Sequence, residues 1–479
     1  MSDAPGEDGS RGIAAVGAYA PDLRIDADSF AEVWGSSPRG IETKAVPDAD
    51  EDALTMAAEA ARRALDAGDC EGATVGFLAF ATTTPPLEEE DLTARLGSVL
   101  GILPDTVRQS FGASTRAGTR ALVAGLDATY DGPGLVVAAD CPRSEPHDDH
   151  EHAAGAGAAA FLLETDAPAE IVDRSEYTTP YPGTRFRRVG SGSVEGLDVT
   201  NYDREAFSEA LGGAVDGLEA AVEEVDAAAV QAPDGAMPYR AAGALGVDAG
   251  TIGTCATVGE LGDTAAASVP LSLARALVDG HDRTLAAAFG SGAGADALLV
   301  EARDEVPADL DLDGDTELAY AEYLQRRGEI APGEPSGGGA YVPVPTWRRS
   351  LPQRHRLVAG RCPGCGGLTF PPEGACNDCG ALVEFEDVLL SGPGEVRAIT
   401  TIGRGGAPPE FAEQQARSGD FQVAIVAFEA DGEETTAPAQ VVSTASVEAG
   451  DRVDPVVRRV YTQEGVTRYG FKLEPAAAE

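Results

Sequence analysis

Lysine is nearly missing from this chain. Of 479 residues only Lys44 and Lys472 are lysine, and 35 Lys+Arg face 80 Asp+Glu, a formal net charge of −45. A polyanion of this density repels phosphate backbones, which argues against nucleic-acid binding as the main activity. Long apolar runs are also lacking. No stretch of 18 apolar residues occurs, so no membrane-spanning helix is expected. Residues 1–10 are polar and acidic, without the basic start and apolar middle of a secretory signal, and the expected compartment is the cytoplasm. A disulfide pattern is missing too. Of seven cysteines, Cys70, Cys141 and Cys255 are scattered, and Cys362, Cys365, Cys376 and Cys379 are clustered. An odd count with one tight cluster fits a reducing compartment and a metal site.

Acid is spread along the whole length, with arginine in place of lysine, as on a halophile's solvated surface or as an ordinary solubility device. In strong salt the Debye length falls to about 3 Å and self-repulsion is screened. The charge therefore speaks to where the protein works rather than to what it does. With 43% hydrophobic residues a large core can form, and the length suggests about three domains.

Residues 11 to about 303 alternate helical periodicity, as in Asp52 to Leu65, with short apolar runs such as Thr74 to Phe80 and Gly134 to Ala139. Alternating strands and helices predict an α/β layered fold with both sheet faces covered. The zone reads as two similar halves, 11–165 and 166–316. Each closes on a small-residue turn and an apolar strand, at Gly155 to Leu163 and at Gly290 to Val300. Residues 317–346 combine a helix at Glu317 to Arg327 with a Gly/Pro linker at 331–340. A compact cysteine segment (347–383) and an all-β region (384–475) follow. The apolar stretches Glu395 to Ile402, Phe421 to Phe428 and Ala439 to Val442 predict a small barrel there.

Cys362-Pro-Gly-Cys365 and Cys376-Asn-Asp-Cys379 form two CxxC knuckles ten residues apart. Two such turns aim four thiolates at one point, the donor set of structural zinc, with rubredoxin-like iron as the alternative. Four sulfurs leave no coordination position open, so the expected metal role is folding rather than catalysis.

The stretch Trp347 to Gly380, with its basic helix, an Arg-x-Arg-Leu strand at Arg354 to Leu357, the two knuckles and Phe370-Pro371-Pro372, resembles acyl-CoA-associated proteins that join a rubredoxin-like zinc ribbon to an OB-fold. That resemblance implies a helper that docks a thiolase-type enzyme or shares its CoA site. Arg348, Arg349, Arg354 and Arg356 could meet a CoA phosphate or pair with the chain's own acid. Ile13 to Leu65 and Gly253 to Val300, including Gly259-Glu260-Leu261-Gly262-Asp263-Thr264 and Gly290-Ser291-Gly292-Ala293-Gly294, are similar to archaeal-type hydroxymethylglutaryl-CoA synthases, as is the helix Tyr320 to Gly328. This implies a thiolase-like layered αβαβα fold over residues 11–330 and acyltransferase chemistry by cysteine, histidine and glutamate.

Matched on Ala117-Gly118-Thr119, the cysteine position holds Thr115, beside Ser114. The histidine position holds Gln231 and the glutamate position falls at Thr82. A threonine hydroxyl is a weak nucleophile without a base, and Gln231 cannot be one. Cys141 and Cys255 are candidate substitute thiols or inert buried cysteines. The histidine-rich Glu145 to His152 is a solvated polar loop or, less in keeping with its composition, a divalent-metal site. The glycine turns, with Gly290, Ser291 and Gly292, can place amides near a thioester or serve close packing.

The resulting expectation is an acyl-CoA-binding protein with a degenerate condensing site, scaffolding a thiolase partner and passing CoA thioesters. The alternatives are an active acyltransferase or Claisen-type synthase with a substitute nucleophile, and a purely structural zinc/OB adaptor. A homodimer or a heteromer with a thiolase is expected from the resemblance.

Overall fold

The computed structural model describes residues 10–222, 224–330, 342–403 and 407–476, so the Gly/Pro linker expected at 331–340 lies outside the described residues. The chain divides into two compact units. One holds the residues up to Pro47 with Asp52–Tyr320; the other holds Asp48–Glu51 with the residues from Ala321 onward.

The first unit is built on one sheet. Its strands are β1 (Arg11–Tyr19), β2 (Phe77–Ala81), β3 (Val107–Phe111), β4 (Gly134–Asp140), β5 (Gly157–Thr165), β6 (Ala169–Tyr177), β7 (Ala227–Val230), β8 (Arg283–Phe289), β9 (Ala295–Ala302) and β10 (Ala308–Asp311). The order is β3-β2-β4-β5-β1-β6-β9-β8-β7, with β10 parallel to β1. Strands β2, β3 and β4 run parallel, as do β7 and β8, while the hairpins β4–β5 and β8–β9 are antiparallel. The two small-residue closing segments seen in the sequence are β5 and β9, in corresponding places beside β1 and β6. The repeat signal thus reports a real duplication of hairpins.

Alanine dominates this core, which lets layers approach closely. Helix α1 (Ala53–Ala67) starts on a capping box. Asp52 Oδ1 accepts from the Leu54 and Thr55 amides at 2.9 and 3.1 Å, and Thr55 Oγ1 accepts from the Asp52 amide at 2.9 Å. A Cβ on Gly17 of β1 would lie 2.2 Å from the Ala60 carbonyl, so only glycine permits this strand–helix spacing. Helix α2 (Ala117–Asp127) buries Ala117, Gly118, Ala121 and Leu122. Helix α3 (Ser268–Val278) is buried on nearly every side, only Arg275 and Val278 falling outside the buried set. A helix apolar all round belongs between layers, not on a surface.

The second unit opens with helices α4 (Val344–Arg349) and α5 (Leu351–Arg356). Here the expected Arg354–Leu357 strand is corrected: Arg354 to Arg356 are helical, Leu357 takes φ +53 and the strand begins at Val358. Pro352 sits in the first turn, where its missing N–H costs nothing and its fixed φ favours helix. Val358–Arg361 then pairs antiparallel with Leu368–Thr369 and Glu386–Leu389.

Five longer strands follow: β11 (Ser391–Ile402), β12 (Phe421–Ala430), β13 (Glu433–Gln440), β14 (Arg452–Gln463) and β15 (Val466–Pro475). They form an antiparallel sheet ordered β13-β12-β11-β14-β15 around Val426, Phe428, Val453 and Leu473. A parallel bridge between Val441 and Leu473 brings the end of β13 to β15, so the sheet curls towards closure. Asp48–Glu51 is anchored within this unit. Asp48 pairs with Arg326 at 2.6 Å, Asp50 with Lys472 at 2.6 Å and Glu51 with Arg458 at 3.8 Å.

Both lysines are buried, each 1% exposed. In the first unit, Lys44 Nζ donates to the Glu151 carbonyl and sits 4.8 Å from the Phe30 ring centre.

Candidate active site and cysteine centre

Strands β2 and β4 are parallel neighbours, so their C-terminal ends lie side by side. Thr82 follows β2 and Asp140 ends β4. The Asp140 carboxylate, 0% exposed, accepts from Thr82 Oγ1 at 3.1 Å, the Thr83 amide at 3.0 Å, Thr83 Oγ1 at 2.9 Å and the Ala266 amide at 2.9 Å. Thr84 Oγ1 adds a further donor. Burial pushes the Asp140 carboxyl above the usual carboxylate range, and these donors pull against that shift. The sequence reading missed Asp140. Its available signal is a carboxylate closing the apolar run Gly134 to Asp140.

Thr115 stands at the turn from β3 into α2, where Ala113 adopts the left-handed φ of +61. Its hydroxyl donates to the Phe289 carbonyl at 2.6 Å, at the end of β8. Ser114 lies beside Gly290, whose Cβ would come 2.7 Å from Ser114 Oγ. Gln231 follows β7, and its Nε2 donates to the Ala265 carbonyl at 2.9 Å, while Oε1 is buried without a partner.

Residues 263–267 are the common support. Ala265 takes φ +44 and its carbonyl accepts from Gln231, the next amide holds Asp140, and a Cβ on Gly118 of α2 would meet the Ala266 carbonyl at 2.3 Å. Thr264 Oγ1 is likewise buried without a partner. Asp263 fixes the segment by accepting from the Ala265 amide at 2.8 Å and pairing with Arg185. Thr82, Gln231 and the start of α2 are thus gathered around one backbone segment. Thr115 is fastened across to β8.

The glycine turn after β8 closes through Gly290 N–H to Gly294 O at 2.7 Å. Cβ atoms on Gly290 or Gly294 would each lie 2.9 Å from the Arg116 side chain. Arg116 pairs with Asp296 at 2.8 Å and Glu176 at 3.1 Å. Gly290 and Gly294 therefore accommodate Arg116. Gly292, at φ +80, has open space at its Cβ position, and Ser291 is half-buried. In the second unit, Arg354 lies over the Trp347 ring at 4.4 Å and donates to Ser350 Oγ at 2.8 Å.

Of the two other thiols weighed for chemistry, Cys255 is buried and pushed up to about 11 by desolvation, so it stays protonated at neutral pH. Cys141 directly follows Asp140 and lies 3.8 Å from Thr84 Oγ1. The solvated loop expected at Glu145 to His152 is corrected. Asp149–Ala153 is helical, Glu151 and His152 are buried, and the His152 ring packs 5.0 Å from Phe30 and 6.0 Å from Trp34. Composition could not show this because the covering aromatics lie more than a hundred residues earlier.

The four clustered cysteines bring their sulfurs within 4.8 Å of one another. Cys362 and Cys379 are 3.8 Å apart, and Cys365 and Cys376 are 3.6 Å apart. A tetrahedron of 2.3 Å metal–sulfur bonds has edges of about 3.8 Å, so the spacing fits one four-coordinate ion. Each knuckle closes on backbone bonds, Gly366 N–H to Cys362 O at 2.8 Å and Gly380 N–H to Cys376 O at 2.9 Å. Among the described residues this is the one grouping of three or more metal-ligating side chains. No described helix is long and apolar enough to cross a membrane.

Residues 349–386 match the family described as ChsH2, rubredoxin-like zinc ribbon domain. Solved structures place the first unit's fold as thiolase-like. A hydroxymethylglutaryl-CoA synthase complexed with CoA aligns over 70% of this chain and 94% of its own, with TM-score 0.61 and 17% identity. The 3-oxoacyl-[acyl-carrier-protein] synthase III of Aquifex aeolicus aligns over 61% and 99%, with TM-score 0.54 and 17% identity. Among curated relatives, the hydroxymethylglutaryl-CoA synthase of Methanosarcina mazei is 30% identical over 344 residues, 67% of this chain and 98% of that protein. That of Archaeoglobus fulgidus is 30% identical over 62% of this chain and 90% of its own. By that identity over nearly the whole length of the relative, the chain belongs to the hydroxymethylglutaryl-CoA synthase family.

Proposed function

We propose that this chain is an acyl-CoA-binding member of its family with a degenerate condensing site, one that scaffolds a thiolase partner and passes CoA thioesters between sites. The observation that carries the reading is Thr115. At the position matched to the nucleophile the group is an alcohol, and its proton is committed to the Phe289 carbonyl. Gln231 and Thr82, matched to the histidine and glutamate, are an amide and a second alcohol engaged with Ala265 and Asp140. None of the three can take a proton at neutral pH. A site that loses several cooperating groups keeps only what binding and oriented amides supply.

Ligand binding is supported by the two buried acceptors at the same place, Gln231 Oε1 and Thr264 Oγ1. A pantetheine arm carries amide donors of the kind these atoms lack. Zinc in the Cys362, Cys365, Cys376 and Cys379 set would fold the ribbon and leave no open position for chemistry. The β11–β15 sheet, with its Val441–Leu473 closing bridge, is read as an OB-fold.

The test is intact-mass spectrometry after saturation with acetyl-CoA, alongside calorimetric binding of CoA. Bound CoA with no acetyl adduct is the expected result. Co-purification from the native cell should yield a catalytic thiolase. An adduct on Thr115, Ser114 or Cys141 would instead support an acyltransferase with a substitute nucleophile. Cys141 is the residue favouring that second reading, because it sits directly after the site's carboxylate.

A further inference from the structure

We propose that Arg354 and Arg468, stacked on Trp347 in the second unit, form a binding site for a phosphate dianion. The starting point is an imbalance. Acids outnumber bases by 45 in this chain, yet neither of these guanidiniums makes an ion pair with a carboxylate among the described residues. Other arginines of the same unit do meet acids, as Arg397, Arg417 and Arg458 do.

The two cations share one ring. The Arg354 guanidinium carbon is 4.4 Å from the Trp347 ring centre and that of Arg468 is 4.9 Å away. Trp347 and Arg468 are both 7% exposed, and Arg468 Nε is buried without a hydrogen-bond partner. Arg354 is half-buried and spends its Nε on Ser350. Tyr461 packs edge-on against Trp347 at 6.0 Å, and its hydroxyl is also buried and unpartnered. Glu373 is the acid whose field reaches Arg354, without closing to an ion pair.

Two like charges packed on one indole repel each other, and burial adds to the cost. Cation–π contact with the ring offsets part of this repulsion but leaves both charges without an anion. A doubly charged oxyanion with several acceptor atoms relieves the repulsion and can satisfy Arg468 Nε and the Tyr461 hydroxyl together. Guanidinium forks match phosphate oxygens in geometry. A single carboxylate would balance only one of the two charges.

The phosphate can arrive free or as an ester on a carrier such as CoA. Only the second source rests on the CoA-binding reading above, and phosphate alone tests the site. The chain has two tryptophans, so in a Trp34→Phe background Trp347 is the sole indole reporter. The full chain is titrated with inorganic phosphate, CoA and dephospho-CoA at constant KCl, following Trp347 emission. A saturable change with phosphate is expected, weakened about tenfold or more by Arg354→Gln and by Arg468→Gln, with circular dichroism unchanged. Arg354 is half-buried on a helix, so its variant stays informative if the Arg468 variant fails to fold.

CoA binding that exceeds dephospho-CoA and falls in both variants identifies an ester-borne phosphate. Phosphate binding without CoA binding supports the site and overturns the CoA reading. The site is overturned by the absence of a saturable phosphate response, by an equal response to added chloride, or by CoA binding that neither variant weakens.

Discussion

At Thr115 an oxygen in place of sulfur, and one extra methyl group, separate the alcohol present from a cysteine thiol. If the condensing site is silent because cooperating groups are missing together, restoring the sulfur alone should do little. Thr115→Cys is expected to form acetyl-enzyme slowly, and Thr115→Cys with Gln231→His about 100-fold faster, the usual contribution of a positioned base. Rapid quench with intact-mass detection measures both. Equal rates in the two variants would mean that Gln231 does not occupy the base position. The same substitution removes a hydroxyl donor from the buried Phe289 carbonyl, which should cost about 1 kcal/mol of stability in urea. Thr115, Gln231 and Thr82 were singled out because each stands in a short stretch whose neighbours resemble the family. Asp140 and Arg116 were not, since their meaning lies in partners far along the chain, Ala266 for one and Asp296 for the other.

Single elements obey simpler rules. Helix α1 was readable from its helically spaced apolar residues, and the structure adds the Asp52–Thr55 capping box. Asp52→Ala removes the side chain that caps two amides and should lower stability by about 1 kcal/mol, seen as a shifted urea midpoint. The cysteine knuckles were fully legible, because contiguous spacing alone sets where the sulfurs point. The last turn of helix α5 was read as a strand because Arg354 to Leu357 resembles an Arg-x-Arg-Leu strand of the zinc-ribbon family, and Pro352, which starts the helix, lies outside that stretch.

The segment Asp48–Glu51 supplies a pH signature. Burial alone would raise the Asp48 carboxyl, but Arg326 and hydrogen bonds from Ser443 and the Ala49 amide outweigh it and hold it below its ordinary value. An acid depressed in the folded state contributes stability above its unfolded pKa of about 4 and loses it as pH falls through the folded value. Asp48→Asn should therefore destabilise the second unit at neutral pH by about 3 kcal/mol, leaving Arg326 unpaired, and the gap to wild type should close in acid. Urea unfolding monitored through Trp347 in the Trp34→Phe background gives that difference at each pH. A gap that stays constant into acid would count against Asp48 as the titrating group.

At the scale of the molecule, the net charge and the four-cysteine cluster set the expected response to salt and to chelators. Self-repulsion at −45 is screened as the Debye length shrinks from about 10 Å at 0.1 M salt to about 3 Å at 1 M, so the melting temperature should climb over that range of KCl and then level off. A flat profile would remove the halophilic interpretation. Elemental analysis should find one zinc per chain. Its removal by chelator should unfold residues 358–389 while the strands of the first unit keep their slow amide exchange, because the metal contributes on the order of 10 kcal/mol to the ribbon.

The two lysines share a property with practical reach. Each compact unit contains one of them, Lys44 in the first and Lys472 in the second, and both ammonium groups are enclosed. Acylating, carbamylating and tag-conjugating reagents that need a side-chain amine find no substrate on the native surface. Each site becomes reactive only when its own unit opens. Pulse labelling with an amine-specific ester, read out peptide by peptide, thus clocks the opening of the two units separately in one sample, with no engineered probe.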